Sequence, residues 1–461
     1  MIIIFFIIII ILFVIWKLYN RNKIWDFANI HYASPHFIIT PTSTQEIIDV
    51  ISSYPKHKIS IAGGQYSHGG QTLLNGSIHI NFKKFNRILS LNQNNMTVTV
   101  EAGVTWEQLI NYLDKFNLSV SEMQSYSNFT IGGSISVNCH GRGLLYGTLA
   151  DSLIQLKLLT TNGQLIDASI YKHAELFRAV IGGYGGIAII LHAVLRVCHN
   201  FPIERKIYTI SRQAAPHFYR KIIADPDLIF YNGNIYPKNE SEIINICWYR
   251  SQLPLTCQDR IQRKKSKYYL SMSFEQILRR SHLFKYVRAQ FEPYMLSTKQ
   301  VVWKNYEMSY DVNTLQPLIK FPTTSILQEY FLPLESLSAF LDYFWMIVNR
   351  YLVNLLNVSL RYVKKTDIPL LNYAPNDRIA IVLYLNIGNN TPCINYAKKW
   401  TRLLIQKSIN LGGSYYLPYL PMATKLQFQS AYPEYQSYIR IKNQYDPMNR
   451  LSNQFIEHYL N

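Results

Sequence analysis

The chain has 461 residues, 48% of them hydrophobic and only 16% charged, which is enough apolar material for two globular domains and argues against disorder. Lys and Arg outnumber Asp and Glu by 46 to 28, a formal charge of +18 that attracts polyanions: an acidic membrane surface, a phosphorylated substrate or nucleic acid. Five scattered cysteines (Cys139, Cys198, Cys247, Cys257, Cys393) form no CxxC, so they offer no zinc site and fit a reducing compartment; no metal is expected.

The first sixteen residues are unbroken apolar and run straight into Lys17, Arg21 and Lys23. A signal peptide carries its positive charge before the apolar stretch and small residues at a cleavage site after it, and neither is present. The length is at the short end of the roughly 17–25 residues that cross a bilayer. A retained anchor over residues 1–20 is therefore expected, with the following cations placing the rest of the chain on the cytoplasmic side. A buried core helix is the alternative, but such a helix is rarely apolar on every face.

From about residue 30 to 200 the pattern is one of short strands, glycine-rich loops and few helices, an α+β domain. Residues 61–71 hold four glycines just after a strand, and a loop so poor in side chains can turn its backbone N–H groups toward phosphates. It has neither the GxGxxG spacing of a Rossmann turn nor the Lys of a Walker loop, so alone it reads equally as a turn. Residues 97–101 alternate as a half-buried strand, and Thr105 with Gln108 forms a capping box that opens a helix. Trp106, Leu109, Ile110, Leu113 and Phe116 supply the buried stripe of that helix. Asn162–Gly163 predicts a hairpin between strands over 153–159 and 164–170. A helix over 175–180 then gives way to Gly182, Gly183, Gly185 and Gly186 and to a strand over 187–197.

After about residue 200 the runs lengthen and aromatics multiply, as over 228–236 and 379–386, predicting a second α+β domain. Residues 260–288 carry nine Lys or Arg against the single acid Glu275. This segment reads either as a solvated insertion or as a patch facing anionic lipid, where each cation adds roughly 1 kcal/mol.

Four stretches occur in a fixed order: residues 61–71, Glu101 to Trp106, Ser125 to Ser152 with its Thr130-Ile-Gly132-Gly133 core, and Leu176 to Gly186. Together they resemble the FAD-binding domain, of the PCMH type, of the vanillyl-alcohol-oxidase superfamily. Residues 327–333, 359–363 and 412–418 are similar to landmarks of the sugar-lactone and alditol oxidase branch, and the end from Ala431 to Leu451 is similar to that branch and to the decaprenylphosphoryl-ribose oxidases. The resemblance implies an α+β fold with a two-subdomain FAD-binding domain at 30–200, a substrate (cap) domain at 201–430, and a segment at 431–461 returning to the FAD domain.

It also implies site residues. Ile61, Ala62, Gly63, Gly64, Gln65, Tyr66, Ser67, His68, Gly69, Gly70 and Gln71 would wrap the pyrophosphate. Ser125, Thr130, Gly132 and Gly133 would lie along the flavin, Val137, Asn138, Cys139 and His140 would continue that wall, Ile189 would meet the adenine, and Tyr416 would reach the flavin from the cap. Many members tether FAD through a His before the Ser of the first loop. Tyr66 stands there and His68 is two residues on, so noncovalent FAD is expected, with Cys139 read as a small buried side chain rather than a tether.

Oxidation of an alcohol needs a hydride acceptor and a group that takes or polarises the hydroxyl proton. Tyr416, Tyr419, Glu329 and Arg361 are the candidates, with Lys425 in reserve because it lies six residues past the position of the family's lysine. Ser359 stands where alditol oxidases have an acid paired to the arginine, against a simple polyol substrate. The expected activity is oxidation of a CH–OH group of a sugar-like or lipid-linked substrate, with O2, a quinone or another acceptor taking the electrons. Amine oxidation on the same scaffold is one alternative, and a noncatalytic membrane-tethered binding protein is another. No base-stacking or groove-reading motif supports a nucleic-acid partner.

Overall fold

Ser43 accepts from the Glu46 amide and opens α1 (Thr44–Ser53), whose Ile47 and Ile51 are buried. The helix covers a small parallel sheet of β1 (Phe37–Ile39), β2 (Ile59–Ala62) and β3 (Ile78–Asn81), in the order β1-β3-β2. The computed structural model describes residues 23–237, 239–263, 268–315 and 322–461. The apolar stretch expected to form an anchor lies outside the described residues, and among the described residues no helix is long and apolar enough to cross a membrane.

A second, antiparallel sheet follows, built from β4 (Ile88–Asn92), β5 (Thr97–Glu101), β6 (Leu118–Val120), β7 (Leu153–Leu159), β8 (Leu165–Ala168) and β9 (Ile189–His199). Its order is β8-β7-β9-β5-β4, with β6 pairing the far end of β9. The β7–β8 hairpin turns at Gly163, whose φ of 84° lies where glycine is unstrained, as Asn-Gly requires. The Thr105–Gln108 capping box is present at the head of α2 (Trp106–Asp114), and Trp106, Leu109, Ile110 and Leu113 are buried. Phe116 departs from the expected stripe: α2 ends at Asp114 and its ring is exposed past that end. Two short helices complete this part, α3 (Ile131–Ser136) and α4 (Ala174–Val180).

The rest of the chain builds one eight-stranded sheet from β10 (Pro202–Ser211), β11 (Leu228–Ile235), β12 (Glu242–Arg250), β13 (Val301–Trp303), β14 (Thr323–Leu332), β15 (Leu355–Val363), β16 (Arg378–Gly388) and β17 (Ser414–Tyr415). Every neighbouring pair is antiparallel, in the order β13-β10-β12-β11-β15-β16-β14-β17. The basic segment carries two helices, α5 (Tyr269–Arg280) and α6 (His282–Leu296). Helices α7 (Leu337–Arg350) and α8 (Thr391–Asn410) contribute Phe340, Phe344, Trp400 and Leu404 to a hydrophobic core that runs through both halves of the molecule.

The carboxyl end comes back to the first sheet. Ile59 on β2 makes a parallel bridge with Leu451, and the Ser452 amide donates to the Ile59 carbonyl at 3.0 Å. This return is clasped by a buried pair, Lys442 Nζ to Asp446 Oδ2 at 2.9 Å, in which Lys442 also donates to the Gly186 and Leu451 carbonyls, both at 2.7 Å. Asp446 Oδ1 accepts from Thr161 at 3.0 Å, and the Arg450 guanidinium reaches the carbonyls of Thr161, Ile51 and Tyr54. A buried carboxylate stripped of its cation is expensive, so Lys442→Met should lose about 3–5 kcal/mol of stability. Guanidinium unfolding followed by circular dichroism measures it, and a midpoint equal to wild type would show that the clasp carries no load.

Candidate active site

β2 delivers the chain into residues 63–72, which have no regular structure and are held from outside. The Phe27 amide donates to the Ser67 carbonyl at 3.2 Å and the His68 amide to the Pro418 carbonyl at 3.1 Å. Gln71 ties the loop to the cap: its Nε2 donates to the carbonyls of Leu417 at 2.8 Å and Tyr419 at 3.2 Å, while its Oε1 accepts from the Gly69 amide. The second loop is fixed against β5 by Ile131 and Gly132 amides donating to the carbonyls of Val104 and Ala102, both at 2.8 Å. Thr130 caps α3 through the Gly133 amide.

The two loops touch where they lack side chains. A Cβ on Gly63 would come within 2.1 Å of Thr130 Oγ1, and one on Gly132 within 2.7 Å of the Ala102 Cβ. Between them runs a slot. Its narrow end is bounded by Ile61, Ala62, Phe82, Ala102, Tyr184, Ala188 and Ile190. It shares Gly63, Ser67, Thr72, Gly133 and Val137 with a cavity of about 400 Å³ that opens under the cap. Gln124 Oε1, Ser125 Oγ and His68 Nδ1 are buried on the cavity wall without a hydrogen-bond partner among the described residues. An apolar end, a waist of backbone and glycine, and a wide end edged with unsatisfied polar atoms fit a dinucleotide with a large tricyclic head.

The predicted cofactor residues divide by position. Gly63, Gly64, Gln65, Tyr66, Ser67, His68, Ser125, Thr130, Gly133, Val137, Cys139, His140 and Tyr416 line the cavity, and Ile61, Ala62, Gln71 and Gly132 line the narrow end. Gly69 and Gly70 do neither: an added Cβ would meet the Tyr419 carbonyl in the first case and the Gln454 side chain in the second, so they are docking points for the cap and the carboxyl end. Asn138 sits behind the wall at a φ of 43°, its Oδ1 accepting from the Ala150 amide and its carbonyl from Tyr373 at 2.7 Å. Ile189 is in the core, and its neighbour Ile190 is the residue that reaches the narrow end. A one-residue offset on a strand reverses the face, which explains the miss.

Tyr66, Phe129 and Phe27 pack ring against ring, at centroid distances of 4.5 and 5.3 Å from Tyr66. His68 stacks on Phe27, and burial pushes its imidazole down to about 4, so it is neutral at ordinary pH. Burial also raises the Cys139 thiol far above its usual range, which leaves no thiolate for a tether. Behind the wall Glu122 is pushed up to about 8 by burial and Arg142 pairs with Glu307 at 2.5 Å.

The four catalytic candidates converge on the wide end. Glu329 on β14 lies within 2.6 Å of His140 Nε2 through Oε1, a close contact outside hydrogen-bond geometry, and accepts from the Tyr419 hydroxyl at 3.3 Å through Oε2. Arg361 on β15 lines the same space with its Nε unpaired among the described residues. Tyr416 donates to the carbonyls of Val137 and Asn138, both at 3.3 Å. Burial raises both Tyr416 and Tyr419 well above the usual phenol range, so they are hydrogen-bond donors and not bases. Lys425 is outside the cavity, its ammonium on the Asn461 carbonyl at 2.6 Å.

Sequence reading named Glu329, Ser359 and Arg361 on the cap's wall but not the residues beside them. Asn357, Ser359 and Arg361 alternate on β15, Ser325, Leu327 and Glu329 on β14, and Val382 and Tyr384 on β16, all lining the cavity. The registers align them in rows, Glu329–Val382–Ser359 and Leu327–Tyr384–Asn357. Period-two alternation from Glu329 and Arg361 was the signal that could have found them. Glu275, Arg279 and Arg288, from the basic segment, close the far side.

Two predictions follow from this geometry. Gly63→Ala should cut bound flavin at least about tenfold, since each ~1.4 kcal/mol of strain is worth that factor, as read from the ratio of 450 to 280 nm absorbance, roughly the flavin and protein maxima. His68 and His79 are both held at about 4 against an ordinary 6.5 by burial. Their neutral forms add stability that is complete above pH 6.5 and is lost as pH falls toward 4, on the order of 3 kcal/mol per group. The unfolding midpoint should therefore drop across that window, and His68→Gln with His79→Gln should flatten the drop.

The FAD binding domain family matches residues 35–169, and the D-arabinono-1,4-lactone oxidase family matches residues 236–459. Along 95% of its length the chain is 23% identical to L-gulonolactone oxidase of Bos taurus, covering 98% of that protein. It is 28% identical to D-arabinono-1,4-lactone oxidase of Candida albicans over 48% of this chain and 40% of that one. A crystal structure of cholesterol oxidase from B. sterolicum shares the fold with a TM-score of 0.72 at 15% identity, covering 95% of this chain and 97% of the other. The chain belongs to the vanillyl-alcohol-oxidase superfamily of FAD-linked oxidoreductases, on its sugar-lactone oxidase branch.

Proposed function

We propose that this protein oxidises a CH–OH group of a sugar lactone or a similar polyhydroxylated ring, and that Glu329 with His140 receives the hydroxyl proton. The observation that carries the reading is the meeting of Glu329, His140, Tyr419 and Arg361 at the cap end of a glycine-waisted slot. The two family matches and the relatives named as lactone oxidases support the substrate class. Bound in the slot, FAD supplies the acceptor for a hydride from the substrate carbon.

The chain's own part is to hold the hydroxyl and take its proton. Glu329 is the only carboxylate among the four catalytic candidates and one oxygen of it already faces the imidazole of His140. The proton leaving the substrate oxygen would rest on this pair, with His140 spreading the charge as the carbonyl forms. Arg361 would orient the ring oxygens through its unpaired Nε, and Tyr419 would hold the second carboxylate oxygen in place. Tyr416, bound to the wall carbonyls of Val137 and Asn138, would brace the flavin's edge against the cap. We assign residues 30–200 and 431–461 to cofactor binding and 201–430 to substrate binding.

FAD is proposed to be held without a covalent bond. Tyr66 occupies the usual tether position, and His68 is packed between Phe27 and Tyr419. Acid precipitation should leave the yellow colour in the supernatant; colour in the pellet would point to His68. The anchor proposed for residues 1–20 would hold the enzyme at the cytoplasmic face of a membrane, with O2 or a quinone as the electron acceptor.

Glu329→Gln should retain flavin and lose about 10²–10⁴ in kcat, the span of general-base catalysis. The assay is anaerobic bleaching of the bound flavin with sugar lactones, lipid-linked sugars and amines in parallel. Bleaching by amines alone would replace this reading with amine oxidation, and a protein that takes up no FAD at all would remove the enzyme reading.

A further inference from the structure

Helices α5 and α6 are built inside out. Their charged side chains face the cap: Arg279 is 4% exposed and contacts Ser325, and Lys285 is 6% exposed with its ammonium on Asn354 Oδ1 at 2.5 Å. Glu275 and Arg288 lie on the same face and line the cavity, Arg288 paired with Glu292 at 2.5 Å. Apart from Leu278 and Ala289, which are buried, most of the apolar side chains point outward. Leu270 is 87% exposed, Leu283 69%, Tyr294 77% and Met295 70%. Their spacing is helical: 270, 274 and 277 share one face of α5, and 283, 287, 291 and 294 one face of α6.

This is not the ordinary scatter of single apolar residues over a surface. Of the twenty-nine exposed large apolar side chains among the described residues, eleven lie within residues 269–295. A contiguous apolar surface of this kind on a soluble face marks a site that something else covers. The charge around it selects the occupant. Arg279, Lys285 and Arg288 of the basic segment face the cap, but Arg263 and Arg280 are exposed, and the whole chain carries +18. A second copy would bring the same charge against it, whereas an anionic lipid leaflet satisfies both the apolar stripe and the cations.

We propose that α5 and α6 form a bilayer-docking hairpin that inserts its apolar stripe into an anionic leaflet. The opposite face of the same two helices walls the active-site cavity, so docking would set the cavity at the lipid surface. The strand entering from the amino-terminal apolar segment is close by: Phe27 and Asn29 line that cavity too, and Thr324 on β14 donates to the Ala28 carbonyl at 2.7 Å. The hairpin therefore acts beside any anchor at residues 1–20 and does not depend on one. Nor does it rest on which compound is oxidised.

The test uses the full-length, flavin-loaded chain with an environment-sensitive fluorophore at Tyr294→Cys, and at Tyr171→Cys in the FAD domain as the control. Both positions are strongly exposed. With vesicles of phosphatidylcholine and phosphatidylserine, the 294 reporter should shift to the blue and be quenched at least about twofold by lipids carrying a nitroxide in the acyl region, as an interfacial helix requires. The 171 reporter should be unaffected, and pure phosphatidylcholine should give a weaker response. Leu283→Ser with Phe291→Ser should abolish the signal at 294 while leaving flavin content and turnover of a soluble lactone unchanged. A protein that floats with vesicles but leaves the 294 reporter unquenched would overturn the proposal. So would a reporter already blue-shifted in buffer, either at every protein concentration, which assigns the stripe to the chain's own apolar segment, or increasingly with concentration, which assigns it to a second copy.

Discussion

The slot exists because each of its two loops meets a neighbour more closely than an added side chain would allow. Gly63 lies against the Thr130 hydroxyl and Gly132 against Ala102, and neither has room for a methyl group. Neither loop could hold that position unaided, since residues 63–72 have no internal ladder of hydrogen bonds. The first is pinned by the cap through Pro418 and Gln71 and by the amino-terminal turn through Phe27; the second is pinned by the end of β5. The carboxyl terminus then fixes β2, from which the first loop springs, with the Lys442–Asp446–Arg450 clasp. Three regions far apart in sequence thus meet to hold the two loops in place.

The same closeness sets the electrostatics of the wide end. Packing the cap onto the loops buries Tyr373, Tyr416 and Tyr419 ring against ring and Tyr432 against Tyr415, and burial keeps all four phenols protonated. They become fixed donors: Tyr373 and Tyr416 hold the carbonyls of residues 137–138, and Tyr419 holds Glu329. A wall of neutral donors thus surrounds the close contact between Glu329 and His140.

This is why the sequence was informative in one half and reticent in the other. Glycines that backbone contact makes obligatory leave a readable mark, so the loops at 61–71 and 130–133, the hairpin at Asn162–Gly163 and the α2 capping box were all legible. Local rules could not show which loop residues point at the slot. Gly69, Gly70 and Asn138 belong to the right segments yet serve the cap, the carboxyl end and the wall, because their partners come from residues more than two hundred positions away. Tyr416 and Tyr419 were named by resemblance, but that they are hydrogen-bond donors appears only once their burial is known. Ile189 was misplaced by a single residue, enough on a strand to change faces.

The cap follows a different rule, and that rule explains why its substrate is harder to read. On β14, β15 and β16 the residues of one parity enter the core, Ile326, Val358, Leu360 and Leu383 among them, while those of the other parity face the cavity. Leu327, Asn357, Ser359 and Tyr384 thus line the cavity from the face opposite the core. A sheet arranged this way can keep its hydrogen bonds and its cofactor while its cavity-facing row drifts to suit new substrates. Close glycine contacts constrain the loop sequences, whereas strand alternation leaves the cavity-facing row of the sheet free to vary. The helices α5 and α6 extend the freedom further, because their charged face completes the cavity while their outward face is committed to something outside the fold.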